Sequence, residues 1–130
     1  MKIKAQNNLE SAQILIDKKQ YTCSVHCSYY AVFQYMKYML ASTNSNPISF
    51  TEQNSHNGED SHEYILNETK NRINQPYKIR RNFTEAVRLL KKNRVEADYQ
   101  QKEFTDLESL DCKKNAEGLI STLKRYFGNI

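Results

Sequence analysis

The chain has 130 residues, a formal net charge of +4, three glycines and two prolines. That length supports one hydrophobic core and excludes two, and the scarcity of Gly and Pro argues against turn-rich all-β folds and for long helices. No apolar run approaches the length that crosses a bilayer, residues 1–8 lack a signal-peptide core, and the three cysteines form no disulfide framework, so a reduced, cytoplasmic protein away from membranes is expected.

Apolar spacing predicts five helices. The first runs from about residue 3 to 18, with Ala5, Leu9, Ala12 and Ile16 on one face and Lys18-Lys19 near its end. The second spans about 21–41. Its main stripe is Val25, Tyr29, Val32, Phe33, Met36 and Leu40, while Ala31, Tyr35 and Tyr38 occupy the opposite side. Apolar on two faces, it is either the central helix of a bundle or part of a self-association surface. Residues 42–58, rich in Ser, Asn and Thr and containing Pro47, read as one long polar loop and a site of mobility. Asp60 and Glu63 resemble a capping pair for a third helix at about 61–73, with Ile65 and Leu66 inward and a break at Asn74-Gln75-Pro76. The fourth covers about 78–98 on Ile79, Phe83, Val87, Leu90 and Ala97. Thr105-Asp106-Leu107-Glu108 forms a capping box for the fifth, whose stripe is Cys112, Ala116, Leu119, Leu123 and Tyr126 or Phe127. The expected fold is one all-α domain, an up-and-down bundle of four to five helices.

Arg94 is the residue that breaks the pattern. It falls among Val87, Leu90 and Ala97 on the inward stripe of the fourth helix. A buried guanidinium without partners costs several kcal/mol, so Asp98, four residues on, is the expected ion-pair partner, with the hydroxyls of Tyr29 or Tyr30 as further candidates. Two readings stand: a polar knot that fixes helix register, or a pre-oriented cation that binds a phosphate. His26, one turn before Tyr30, is either a satisfied structural histidine or a general base or acid facing the same cleft.

Charge is unevenly distributed. Residues 70–94 carry nine basic side chains, Arg88 and Lys91 among them, and a single acid, Glu85, with acidic stretches on either side. Such a block either attracts phosphates or forms a solvated, salt-bridged face. Cys23, His26 and Cys27 have a spacing that can converge on a metal, but no fourth ligand is apparent, so neither a metal nor a cofactor is expected. A Gly-rich phosphate loop is also missing from the sequence.

The ordered set Leu9-x-x-Ala12, then Tyr29-Tyr30-Ala31 within 21–33, then His62, then Arg94-x-x-Ala97-Asp98-Tyr99 resembles the HEPN superfamily. More narrowly it resembles small stand-alone bacterial and archaeal HEPN proteins, over roughly residues 5–127. The resemblance implies a four- or five-helix bundle that commonly forms homodimers, often paired with a nucleotidyltransferase as a toxin–antitoxin system. Several HEPN branches are metal-independent RNases with an Arg-x4–6-His motif completed across a dimer. Arg94 matches that arginine, but no histidine lies five to seven residues after it, and Tyr99 holds the place of the shortest spacing. His26-Cys27 stands where such relatives often have Asn-Arg. The expectation is a dimeric module that binds a nucleotide, RNA or a nucleotidyltransferase partner through Arg94, Asp98, Tyr29, Tyr30, Arg88 and Lys91. One alternative is an RNase toxin using Arg94 with His26, His62 or Tyr99. Another is a purely structural interaction domain whose dimer face is the tyrosine-bearing helix.

Overall fold

The computed structural model describes residues 1–56, 61–73 and 76–127. Six helices follow one another: α1 (Lys2–Asp17), α2 (Tyr21–Ser42), α3 (Phe50–Asn54), α4 (Ser61–Asn71), α5 (Tyr77–Tyr99) and α6 (Asp106–Phe127). The five expected helices are all present within a residue or two of their expected ends. The described residues contain no strand.

α2 is the central helix, packed against α1, α4, α5 and α6. Its two apolar faces explain this position. Val25, Tyr29, Val32, Met36 and Leu40 are buried on one side, and Ala31, Tyr35 and Met39 on the other. Of its tyrosines, Tyr29 and Tyr35 are buried in the bundle, and Tyr21, Tyr30 and Tyr38 are half-buried. α1 brings Ala5 and Ala12 against α2, where the small buried Ser24 lets the backbones approach, and Ser24 Oγ donates to the Ala12 carbonyl at 3.0 Å. Asn8 donates to Gln34 at 2.8 Å. Low residue numbers on α1 thus meet high ones on α2, and the pair forms an antiparallel hairpin.

The hairpin turn is set by Lys19, whose φ of 62° lies in the left-handed region. The Lys19 N–H donates to Ile16 O and the Gln20 N–H to Leu15 O, closing the carbonyl end of α1 in a Schellman arrangement. At the other end of the chain the capping box forms as expected. Glu108 N–H donates to Thr105 Oγ1, and Thr105 N–H donates to Glu108 Oε1, each at 3.1 Å.

The polar stretch after α2 is not one plain loop. Ser49 caps the short α3 by accepting from the Glu52 N–H. Gln53, only 3 % exposed, donates from Nε2 to the carbonyls of Lys37 and Ile48. Ile48 is itself buried, and its N–H returns to Leu40 O. A buried amide and one apolar side chain thus tie this segment to α2. Asp60, expected to cap α4, and the Asn74-Gln75 break lie outside the described residues.

Candidate functional site

α2 and α5 cross so that residues 26–33 of α2 meet residues 91–99 of α5, with the start of α4 alongside. The reason is the shared stripe: Val87 and Leu90 on α5 join Val25, Tyr29 and Val32 in one core, and Arg94, one turn on, lies over Tyr29. Arg94 is 7 % exposed, so the sequence reading of an inward guanidinium holds. Its Nη1 donates to Asp98 Oδ2 at 3.3 Å, the expected intrahelical pair.

The tyrosines act differently from expectation. Arg94 Cζ stands 5.4 Å from the ring centres of both Tyr29 and Tyr30, so the cation meets aromatic faces rather than hydroxyls. The Tyr29 hydroxyl is instead engaged with His62 Nδ1 at 2.6 Å. Burial, only partly offset by the nearby Arg94 charge, pushes the Tyr29 phenol well above its ordinary range. Burial, followed by the charges of Lys91, Arg94 and Lys37, lowers the His62 imidazole to about 4. Both groups are therefore neutral near pH 7, with the Tyr29 hydroxyl donating to an unprotonated His62 nitrogen. His62 also stacks on Phe33, ring centres 4.3 Å apart, in an aromatic cluster with Tyr29 and Tyr30.

Asp98 is the hub of the site. Besides Arg94 it accepts from His26 Nδ1, at 2.8 Å to Oδ2 and 3.0 Å to Oδ1. His26 is exposed and rests its ring against Tyr30, centres 4.7 Å apart. With Nδ1–H committed to the carboxylate, a neutral His26 presents Nε2 as an acceptor. One carboxylate thus serves both Arg94 and His26, and Arg94 Nε, though buried, has no hydrogen-bond partner among the described residues.

The structure brings most of the sequence candidates together. Arg94, Asp98, Tyr29, Tyr30, His26 and His62 form one contiguous group. Tyr99 is 76 % exposed, its ring centre 5.9 Å from Arg94 Cζ. Lys91 is half-buried and close enough for its charge to act on His62. Arg88 stands further out, paired with Glu63 of α4. Phe33, read from sequence as a stripe residue of the second helix, and Glu63, read as a capping acid, were not named for the site. Phe33, four residues after Tyr29 on the same stripe, carried a readable signal, whereas Glu63 became relevant only once α4 and α5 were adjacent.

Cys23 is exposed, Cys27 half-buried and Cys112 buried, all as free thiols. Among the described residues no group of three His, Cys, Asp or Glu side chains is placed to hold a metal ion. None of the described helices is long and apolar enough to cross a membrane.

A helical bundle whose central helix offers tyrosines to a buried arginine of a neighbouring helix is a module built around one partly neutralised cation. Residues 2–126 match the HEPN domain family, and the chain belongs to it. HEPN domains are generally nucleotide- or RNA-related. No curated protein and no solved structure matches the chain.

Proposed function

We propose that this HEPN protein binds the phosphate of a nucleotide or of RNA at the junction of α2, α4 and α5, with Arg94 as the anchor. The observation that carries this reading is the electrostatic imbalance at Arg94: a buried guanidinium whose only carboxylate among the described residues is shared with His26 and whose Nε has no partner among them. A cation already removed from water, and fixed between two tyrosine faces, binds an anion with little reorganisation. Lys91 adds positive charge at the rim, and Tyr99 offers an exposed ring for a base. In this reading the protein works as a homodimer and as the partner of a nucleotidyltransferase. Those two elements rest on the family resemblance, and sedimentation at several protein concentrations tests the first of them.

Titration calorimetry with uridine monophosphate tests the anchor. The wild type is expected to bind, and Arg94→Lys, which keeps the charge but loses the planar fork, to bind at least tenfold more weakly. Equal affinity in both proteins, or no binding to the wild type, would refute the reading.

The His26–Asp98 contact favours a second reading, metal-independent RNA cleavage. Here His26 Nε2 accepts the proton of a ribose 2′-hydroxyl, and O2′ attacks the adjacent phosphorus. The bond to the 5′ oxygen breaks, that oxygen takes a proton from solvent, and a 2′,3′-cyclic phosphate remains. Arg94 stabilises the charge that develops on phosphorus. His62, neutral and bound to Tyr29, is poorly suited to the proton-transfer role. RNA cleavage in EDTA by wild type, His26→Ala, His62→Ala and Arg94→Ala decides it. Cleavage lost in the His26 and Arg94 variants supports an enzyme, whereas equal residual activity in all four indicates a contaminant.

A further inference from the structure

The open face of α2 carries a pair of thiols that neither phosphate binding nor RNA cleavage employs. Cys23 and Cys27 are both free, the first exposed and the second half-buried. They lie four residues apart on one unbroken helix. That spacing sets them about 40° apart around its axis and about 6 Å apart along it, so their side chains are neighbours. Cys27 registers the proximity: burial first, then Cys23 and then Asp98, push its thiol up. Neither sulfur makes a hydrogen bond among the described residues. The third thiol, Cys112, is buried on α6 and accepts from the Asn93 amide at 3.6 Å, so it belongs to the core.

Spacing decides what the pair can do. A disulfide needs Cβ atoms about 3.5–4.5 Å apart and sulfurs about 2.05 Å apart, whereas Cβ atoms four residues apart on a helix stand about 5–6 Å apart. Closing that bond would unwind α2 where Val25 and Tyr29 pack into the core. A metal ion makes no such demand: two thiolates, each about 2.3 Å from one centre, lie up to about 4.6 Å apart, within reach of both side chains on an intact helix. The ligand count then selects the ion. His26, between the two cysteines in sequence, is committed through Nδ1 to Asp98 at 2.8 Å, and Asp98 also serves Arg94. Among the described residues no group of three His, Cys, Asp or Glu side chains is placed to hold a metal. A closed zinc site takes four ligands, and calcium and magnesium take oxygens. Two soft sulfurs with no further ligand suit Cu(I).

We infer that Cys23 and Cys27 form a two-thiolate site for Cu(I) on the open face of α2. On binding, each thiol passes its proton to solvent and the ion gains two sulfur ligands, with no change of oxidation state. The complex carries one net negative charge. Cys23 lies in the first turn of α2, where unpaired backbone N–H groups favour an anion. Lys19 lines the shallow groove into which Cys23 opens, with Glu103 across from it.

Competition for Cu(I) with bicinchoninate, run without oxygen on the reduced protein, tests the site. The wild type is expected to withdraw one ion per chain. Cys23→Ser and Cys27→Ser are each expected to lose affinity by about tenfold or more, while Cys112→Ser matches the wild type. Far-ultraviolet circular dichroism verifies that each variant is folded, so that a lost ion reports a lost ligand. X-ray absorption at the copper edge is expected to show two sulfur neighbours and no nitrogen. Wild-type affinity in Cys23→Ser or Cys27→Ser, equal loss in Cys112→Ser, or no withdrawal of copper by the wild type overturns the site. A nitrogen neighbour brings in His26 and overturns the two-ligand assignment. One ion per two chains, with a sedimentation mass that doubles only when copper is added, overturns it in favour of a thiol bridge between copies.

Discussion

Arg94→Met separates a structural arginine from a binding one. The substitution keeps an unbranched apolar stem in the space between Tyr29, Tyr30 and Val87 and removes the charge. Contacts with two ring faces, each 5.4 Å from the guanidinium carbon, are lost, at a cost of about 1–2 kcal/mol together. Asp98 loses one partner but keeps His26 at 2.8 Å and remains partly open to water, so it is not orphaned, and its loss is about 1 kcal/mol. Against these stands relief of the buried, unpartnered Nε, about 1–3 kcal/mol. The net cost centres on about 0.5 kcal/mol, because Asp98 keeps His26 and some contact with water; removing one member of a fully buried pair would instead cost about 3–5 kcal/mol. Arg94→Ala also discards the stem and is expected to cost about 2–3 kcal/mol. Thermal melts followed by circular dichroism should therefore place the Met variant within a few degrees of wild type and the Ala variant clearly below both. Ligand at a hundred times its Kd stabilises a binding protein by about 2.7 kcal/mol, a shift expected for wild type and absent from Arg94→Met. If the Met variant melts as low as the Ala variant, or keeps the ligand shift, the reasoning is wrong and Arg94 is a register-fixing knot.

The His62 imidazole, held at about 4 in the fold against an ordinary value of about 6.5, makes the unfolded chain bind more protons between those values. Stability is therefore full above about pH 6.5 and declines as pH falls towards about 4. Urea midpoints across that window should show the decline, and Tyr29→Phe/His62→Phe should flatten it; an equal slope in the double variant refutes the assignment. Thr105→Ala removes the side-chain half of the α6 capping box and is expected to cost about 1 kcal/mol by chemical denaturation. Lys19→Gly relieves the left-handed backbone at the end of α1 and is expected to raise stability by about 0.5–1 kcal/mol. A lower urea midpoint would contradict that expectation.

Much of the fold was legible because the helices are long, amphipathic and cleanly punctuated. α5 and α6 show this best, as Phe83, Val87 and Leu90 recur at helical spacing and Thr105 and Glu108 announce the next start. Arg94 and Asp98 were legible for the same reason: both sit on one helix, and a four-residue spacing fixes their contact. The short α3 was not, because five residues give too little periodicity; Ser49 is a visible cap, but the burial of Gln53 depends on the Lys37 carbonyl of another helix. The partner of Tyr29 was missed for a related reason. Its hydroxyl was expected at Arg94, yet the ring face meets the guanidinium and the hydroxyl reaches His62 of α4. The His26–Asp98 contact joins residues 72 positions apart and needs the packing of α2 on α5, which no local pattern encodes.

That last contact changes how the site behaves when an anion arrives. Asp98 cannot fully serve Arg94 and His26 together, since its Oδ2 is the oxygen nearer to both. A phosphate at Arg94 takes over the charge compensation that Asp98 supplies there and leaves the carboxylate to His26. A carboxylate devoted to Nδ1–H holds the ring in the tautomer and orientation that leave Nε2 free to accept. Occupation of the anchor therefore fixes the orientation of an exposed imidazole beside it. Binding and cleavage are then not competing designs for this cluster: the arrangement that holds a phosphate also orients the histidine next to it. What separates the two is whether a bound strand brings a 2′-hydroxyl to His26 Nε2.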